Sequence, residues 1–312
     1  MTAQTFVLLR AGGWHPGSVV GASRSPQQWV DRLIDEAGTL HSGTHAPDFV
    51  GIDSAAHAHD ADGEWRLVAV DALTTARRLT SRTDLRFTVV PTVTVADLDP
   101  ATALDILERD GQRLDLQVRV TNRYVGAGPM VAPTPPFLDL TDPEVLRGMD
   151  ARFTKAADDL LDVRAVWAKQ PDRRHPAIWA LAHLTIPYRL AVRVGDYVAL
   201  TPLDAEHAQS ILREVRALEA ERARPLRKFA DVTVCVADTA DAAADRMADL
   251  DLRAGRPLRS DAAVFVGAVD DLLAQCREWC TEGFDGVRFR PCGNADVETL
   301  AEAVLPRLSA DR

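Results

Sequence analysis

Long apolar runs are missing from this chain of 312 residues. None approaches the roughly 20 residues that a helix needs to span a bilayer, so no membrane-spanning role is expected. Residues 1–10 hold one apolar burst, at 6–9, without a basic leading segment or a small-residue cleavage site, which argues against a secretory signal. Cysteine is scarce as well. Of the 4 present, only Cys276 and Cys280 lie close together, at a spacing that suits one helix face, where a buried thiol acts as a small hydrophobe. A structural zinc site would want tighter pairs and more ligands, so reduced thiols in a cytoplasmic protein without a metal are expected. An excess of basic charge is also absent: 36 Lys and Arg stand against 46 Asp and Glu, a net charge of −10. That balance opposes nucleic-acid binding, which needs a basic surface. The one basic run, Arg222, Arg224, Arg227 and Lys228, reads as a solvated turn between a helix and the next strand.

What the chain does have is alternation. Hydrophobic residues make up 46% and charged residues 26%, ample for a sizeable core. Strand-like runs lie at residues 6–9, 49–52, 85–95, 113–121, 177–182, 197–200, 232–236 and 287–289. Helical periodicity fills the intervals, at residues 26–38, 65–79, 97–111, 143–169, 204–222, 241–252, 269–281 and 297–308, with a shorter run around Tyr188 and Leu190. Gly12-Gly13-Trp14-His15-Pro16-Gly17 cannot continue the first strand. Residues 124–142, rich in proline and glycine and carrying Met130 and Phe137, read as a surface loop or a lid with an apolar wall. Eight strands alternating with helices is the count of a (β/α)8 TIM barrel, an α/β fold, here one domain over residues 1–312. A doubly wound sheet shares the alternation, but the first turn lacks the spaced glycines of a dinucleotide fold.

Several stretches, taken in order, resemble the bacterial luciferase-like flavin-dependent monooxygenases, in particular the nitrilotriacetate- and alkane-monooxygenase branch. Phe265-Val266-Gly267, Trp279 and Gly283-Phe284-Asp285-Gly286, followed by Val304-Leu305-Pro306-Arg307-Leu308, are similar to that family's closing unit. Asp48-Phe49-Val50-Gly51-Ile52-Asp53 resembles its second strand, which ends in an acidic residue at the flavin pocket. Leu104-Asp105-Ile106-Leu107 with Gly111-Gln112-Arg113-Leu114-Asp115-Leu116 resembles a helix end and the fourth strand, and Arg152-Phe153 with Ala157 and Val166-Trp167 resembles the helix that follows. The resemblance runs from about residue 14 to 308. It implies a reduced FMN at the C-terminal mouth of the barrel, which with O2 oxidises a small organic substrate; a deazaflavin is the alternative cofactor. It further implies a separate flavin reductase and a homo-oligomer, dimer or tetramer. In the branch, a glycine- and serine-rich turn after the fifth strand holds the flavin phosphate. The matching positions are Leu181-Ala182-His183-Leu184-Thr185-Ile186-Pro187, with no glycine and with an imino nitrogen at Pro187, leaving His183 and Thr185 as contacts. Gln117 stands where the family has asparagine.

Candidate cofactor-binding residues are therefore Asp53, Thr92, Gln117, Thr121, His183 and Thr185. Asp53 ends a strand on the face where barrels carry chemistry; its simpler role is to cap the next turn. Gln117 and Thr121 share one face of the fourth strand, and polar groups turned into a barrel need a reason. His183 is the candidate catalytic acid or base, against the plainer role of a satisfied structural histidine. Arg290 suits an anion or a surface ion pair, and Trp14 and His15 a pocket wall. A competing reading is a metal-dependent hydrolase with His57, His59, Asp53, Asp60, His183 and Asp238 as ligands. A third is a non-catalytic barrel that has lost flavin and serves as a subunit partner.

Overall fold

A computed structural model describes residues 3–19, 25–59, 65–81, 84–110, 112–120, 142–220 and 222–310, with the side chains of 57–59 and 65–69 left out. Ten strands are formed: β1 (Gln4–Ala11), β2 (Phe49–His59), β3 (Trp65–Ala69), β4 (Thr88–Thr94), β5 (Leu116–Arg119), β6 (Ile178–Ala182), β7 (Tyr197–Leu200), β8 (Arg227–Ala237), β9 (Ala263–Ala268) and β10 (Gly286–Pro291). Eight of them close in the order β1-β10-β8-β7-β6-β5-β4-β2, and β2 pairs back onto β1, every pairing parallel. This is the expected (β/α)8 barrel.

The helices between the strands are α1 (Pro26–Ser42), α2 (Ala72–Thr80), α3 (Pro100–Asp110), α4 (Pro143–Ala168), α5 (Thr185–Val194), α6 (Ala205–Leu218), α7 (Ala240–Ala254), α8 (Val269–Glu282) and α9 (Asn294–Thr299), the last running on through a wide turn into α10 (Leu305–Ala310). Local chemistry sets their ends. Ser25 and Gln28 form a reciprocal capping box at α1, Asp71, Asp142 and Asp204 accept backbone N–H groups at α2, α4 and α6, and Pro opens α1 and α4 where its missing N–H costs nothing. Gly255 and Gly283 end α7 and α8 with φ of 67° and 118°, which glycine adopts freely. The apolar stripes pack inward: Leu272, Leu273, Cys276 and Trp279 of α8 are buried, as are Leu160, Val163 and Trp167 of α4. Trp167 also donates its indole N–H to the Ala103 carbonyl at 2.8 Å, pinning α4 against α3.

Three expectations need correction. The helix at 65–79 splits: residues 65–69 are β3, antiparallel to the far half of β2 from Ala55↔Ala69 to His59↔Trp65, and the helix starts only after Asp71 caps it. The second strand accordingly runs beyond Ile52, because a hairpin partner satisfies its backbone outside the barrel wall. The seventh barrel strand starts at Arg227 and takes up part of the basic run: Lys228 is buried, donating to Glu219 at 2.6 Å and to the Leu226 carbonyl at 2.8 Å. An unexpected strand, β9, pairs with the upper half of β8 from Val232↔Ala263 to Ala237↔Ala268. The loop at 124–141 and Thr121 lie outside the described residues.

Candidate active site at the barrel mouth

Along each barrel strand every second side chain points inward, and the inward positions change character from bottom to top. At the N-terminal end Phe6, Leu8, Phe49, Val90, Trp179 and Phe229 form an apolar floor. Trp179 stacks on Tyr197 with ring centroids 4.1 Å apart and planes 5° from parallel, and meets the edges of Phe6, Phe49 and Phe229.

Two residues higher the filling turns charged. Arg288 of β10 and Asp231 of β8, each 0% exposed, form a two-bond pair: Nε donates to Oδ1 at 2.9 Å and Nη2 to Oδ2 at 3.1 Å. Arg288 Nη1 reaches across the barrel to donate to Gln117 Oε1 at 2.5 Å, and Gln117 Nε2 donates to Thr92 Oγ1 at 2.9 Å. Arg290, one step further up β10, shares Asp231 through both its Nε, at 3.0 Å, and its Nη2, and turns its Nη1 to Asp261 in the segment before β9. Asp261 Oδ2 lies 3.0 Å from His183 Nε2, and His183 Nδ1 lies 3.0 Å from Thr201 Oγ1. With Nε2–H donating to the carboxylate, Nδ1 of the neutral ring accepts the threonine hydroxyl.

The opposite side of the mouth is built on Asp53, itself 0% exposed. Its Oδ2 accepts from Arg10 Nε at 2.7 Å, and its Oδ1 accepts from Arg119 Nη2 at 2.9 Å and from the Ser54 N–H at 2.9 Å. Arg119 Nη1 donates to Ser54 Oγ at 3.1 Å. Burial alone would push the Asp53 carboxyl up, but the guanidinium groups of Arg10 and Arg119 outweigh it and hold it below the usual carboxylate value. The same contest at Asp261 ends well below that value, held there by Arg290 and His183. Burial lowers Arg10 and Arg288, yet both remain cationic because arginine starts so high. Trp14 joins the two sides: its ring lies 3.6 Å from the Arg10 guanidinium carbon and 4.6 Å from that of Arg290, a cation–π arrangement on both counts. Its indole N–H is held by the Leu8 carbonyl at 2.9 Å. The column therefore sets Arg10, Arg119, Arg288 and Arg290 against Asp53, Asp231 and Asp261.

Of the residues expected from sequence, Asp53, Thr92, Gln117 and His183 belong to this column, and Arg290 is a buried member of it rather than a surface ion pair. Thr185 stands apart, exposed at the start of α5, with its hydroxyl donating to Glu214 Oε1 of α6 at 2.5 Å. His15 faces away from the mouth: buried, it bonds Asp251 of α7 through Nε2 at 2.9 Å and accepts the Gly17 N–H on Nδ1. Arg10, Arg119, Asp231, Asp261 and Arg288 were not singled out. Their signal in the sequence is charge at alternate positions of apolar strands, as in Gln117-Val118-Arg119 and Arg288-Phe289-Arg290. Among the described residues, no group of three or more His, Cys, Asp or Glu is placed to hold a metal ion; Asp60 and the side chains of His57 and His59 lie outside them. Likewise no helix among them is long and apolar enough to cross a membrane. Beside the mouth, a cleft of about 450 Å³ opens between α4 and the ends of β4 and β5, lined by Val95, Leu98, Val120, Arg152, Lys155 and Val163 among others.

The turn after β6 does not offer a phosphate cradle. Leu184 stands at the N-cap of α5 with no side-chain hydrogen bond, Pro187 has no N–H to give, and Glu214 sits against Thr185.

Residues 145–286 match the family model described as luciferase-like monooxygenase. Solved structures of similar fold include EDTA monooxygenase from Chelativorans sp. BNC1, with a TM-score of 0.74 at 13% identity over 100% of this chain and 94% of that one. A riboflavin lyase, solved with modified FMN and riboflavin, gives 0.72 at 15% identity over 100% and 92%. A long-chain alkane monooxygenase gives 0.69 at 12% over 100% and 92%. No curated protein matches the chain by sequence.

Proposed function

We propose that this chain, whose residues 145–286 match the luciferase-like monooxygenase model, is a flavin-dependent monooxygenase that takes reduced FMN and O2 to oxidise a small organic substrate. The carrying observation is the charged column at the C-terminal mouth, the end of such barrels where catalytic groups collect. Four arginines are held there by the buried carboxylates of Asp53 and Asp231, with Trp14 packed against two of them, an arrangement far costlier than an apolar filling would be. A bound reduced flavin would supply the electrons that activate O2.

The protein's own part is positioning and proton handling. Asp53 fixes the guanidinium groups of Arg10 and Arg119 at the strand ends around the mouth. His183, partly exposed and oriented through both ring nitrogens by Asp261 and Thr201, is the candidate to give or take a proton there. The cleft beside Val95, Leu98 and Val120 supplies an apolar wall for the substrate. Reduced flavin would arrive from a separate reductase, and a homo-oligomer is the expected assembly.

The test is a titration of the protein into FMN, oxidised and reduced, followed by O2 uptake with a flavin reductase present. Quenching of flavin fluorescence at micromolar protein supports the reading; absence of binding in both redox states sinks it. In the active protein, His183→Ala should lower turnover roughly 100-fold while leaving flavin affinity nearly unchanged. A second reading, a barrel that keeps the fold without flavin and acts as a partner subunit, is favoured by the turn after β6. A stable complex with another chain and no flavin binding would support it.

A further inference from the structure

His183 is held at both ring nitrogens, and its two partners differ in what they can exchange. Nε2 lies 3.0 Å from Asp261 Oδ2, and Nδ1 lies 3.0 Å from Thr201 Oγ1. Asp261 also accepts from Arg290 Nη1. Burial pushes its carboxyl up, but Arg290 and His183 outweigh that and hold it well below the usual carboxylate value. Near neutral pH it is therefore ionised and can only accept. A hydrogen bond between it and Nε2 then requires a proton on Nε2, whether the ring is neutral or cationic. The nitrogen that gains and loses a proton is Nδ1, the one facing Thr201.

Thr201 is placed to pass that proton on. Side chains on β7 alternate: Tyr197 packs on the aromatic floor, Ala199 follows two positions higher, and Thr201 comes next on the same side, just past the strand end. Its side chain thus turns into the mouth, beside His183 at the end of β6. A threonine hydroxyl donates to a bare Nδ1 and accepts from a protonated one. Thr201 is 4% exposed, enough shielding that the hydroxyl, and not bulk water, is the partner Nδ1 keeps. Among the described residues its side-chain oxygen has no second hydrogen-bond partner, which leaves it able to bond a molecule held at the mouth.

We infer that Thr201 is the relay through which His183 exchanges protons at the mouth, with Asp261 fixing the tautomer. The inference rests on the flavin reading for its task and extends it to the residue standing between His183 and a bound substrate. In the transfer, the Thr201 O–H proton passes to a basic atom of the substrate while the Nδ1 proton passes to the Thr201 oxygen. The ring is left neutral with its Nε2–H in place, and the hydroxyl is neutral before and after. The reverse sequence returns the proton to Nδ1.

The first test needs no ligand. In the full chain, isotope-labelled at the histidine nitrogens, long-range proton–nitrogen NMR correlations report the tautomer of His183, its signals assigned by their loss in His183→Gln. The expected neutral form carries its proton on Nε2; the Nδ1–H tautomer overturns the inference. The second test is O2 uptake with FMN and a flavin reductase. Thr201→Val, which removes the hydroxyl but keeps the shape, should lower turnover about 100-fold, as His183→Ala does. The double variant should be no slower than either single one, because members of one relay do not add. Thr201→Ser should stay within about threefold of the parent. The limb of the pH–rate profile that belongs to His183 should vanish in Thr201→Val, with FMN affinity unchanged. A valine variant near the parental rate, a double variant slowed by the product of the two effects, or a serine variant as slow as the valine one overturns the relay and leaves the flavin reading standing. If FMN binds in neither redox state, the flavin reading falls and the relay's catalytic task with it, while the tautomer still decides which nitrogen exchanges. Circular dichroism of each variant, unchanged from the parent, separates a lost relay from lost folding.

Discussion

Asp53 illustrates how much one buried charge can govern. It is fully enclosed, and its stabilisation comes from two guanidinium groups and one backbone N–H. Asp53→Asn keeps the shape but removes the charge that both arginines need. Breaking such a pair costs about 3–5 kcal/mol, to be read as a fall in the denaturant midpoint at neutral pH. The pH dependence has a definite sign. The folded carboxyl titrates below its ordinary value of 3.8, so the unfolded chain binds the proton first on acidification. The contribution is therefore full above the ordinary carboxylate range and is lost as pH falls through the depressed value. The variant should show a shallower loss of stability below about pH 4, and an acid limb as steep as the parent's would show that Asp53 is not the group responsible. Asp261, depressed by Arg290 and His183, contributes in the same direction.

At the scale of elements, the loop after β1 is the tightest join. Gly12 and Gly13 take φ of 86° and 87°, and the Trp14 and His15 N–H groups then donate to the Pro291 and Cys292 carbonyls at 3.0 and 3.1 Å. A Cβ on Gly13 would lie 2.1 Å from the Cys292 carbonyl oxygen, which backbone cannot relieve. Gly13→Ala should thus cost roughly 2 kcal/mol or more, measured by thermal unfolding, and should also disturb Trp14 and with it any flavin titration. The loop itself was legible, because glycines and a proline cannot extend a strand. So were the barrel strands, where β-branched runs met turn residues. The hairpin partner β3 was not, since Trp65 to Ala69 has apolar spacing that fits a helix as well as a strand, and only pairing with the extended β2 decides it. The site was legible in the same uneven way. Asp53, Gln117 and His183 stood out as polar groups at strand ends, whereas Asp231 and Arg288 became meaningful only when closure brought β8 beside β10, with β5 across the barrel.

For the whole molecule the closing seam matters most. β1 pairs with β10, from opposite ends of the chain, and β10 carries Arg288 and Arg290, the two cations that neutralise Asp231. A chain cut after residue 283 should lose more than one strand: β1 and β8 would both expose an unpaired edge, and Asp231 would be a charge without partners. Such a truncation is expected to unfold without a cooperative transition in urea and to aggregate on concentration; a sharp two-state curve would show that the first seven barrel strands suffice. Contacts this distant in sequence also make folding slow. On the ribosome, the order of assembly is then imposed by the order of synthesis. The aromatic floor, built from β1, β2, β4, β6 and β8, can gather while the chain is still growing, but the charged column above it cannot form until β10 has emerged. The charged mouth is thus completed only once every barrel strand has been made, and a chain still short of β10 holds no finished column.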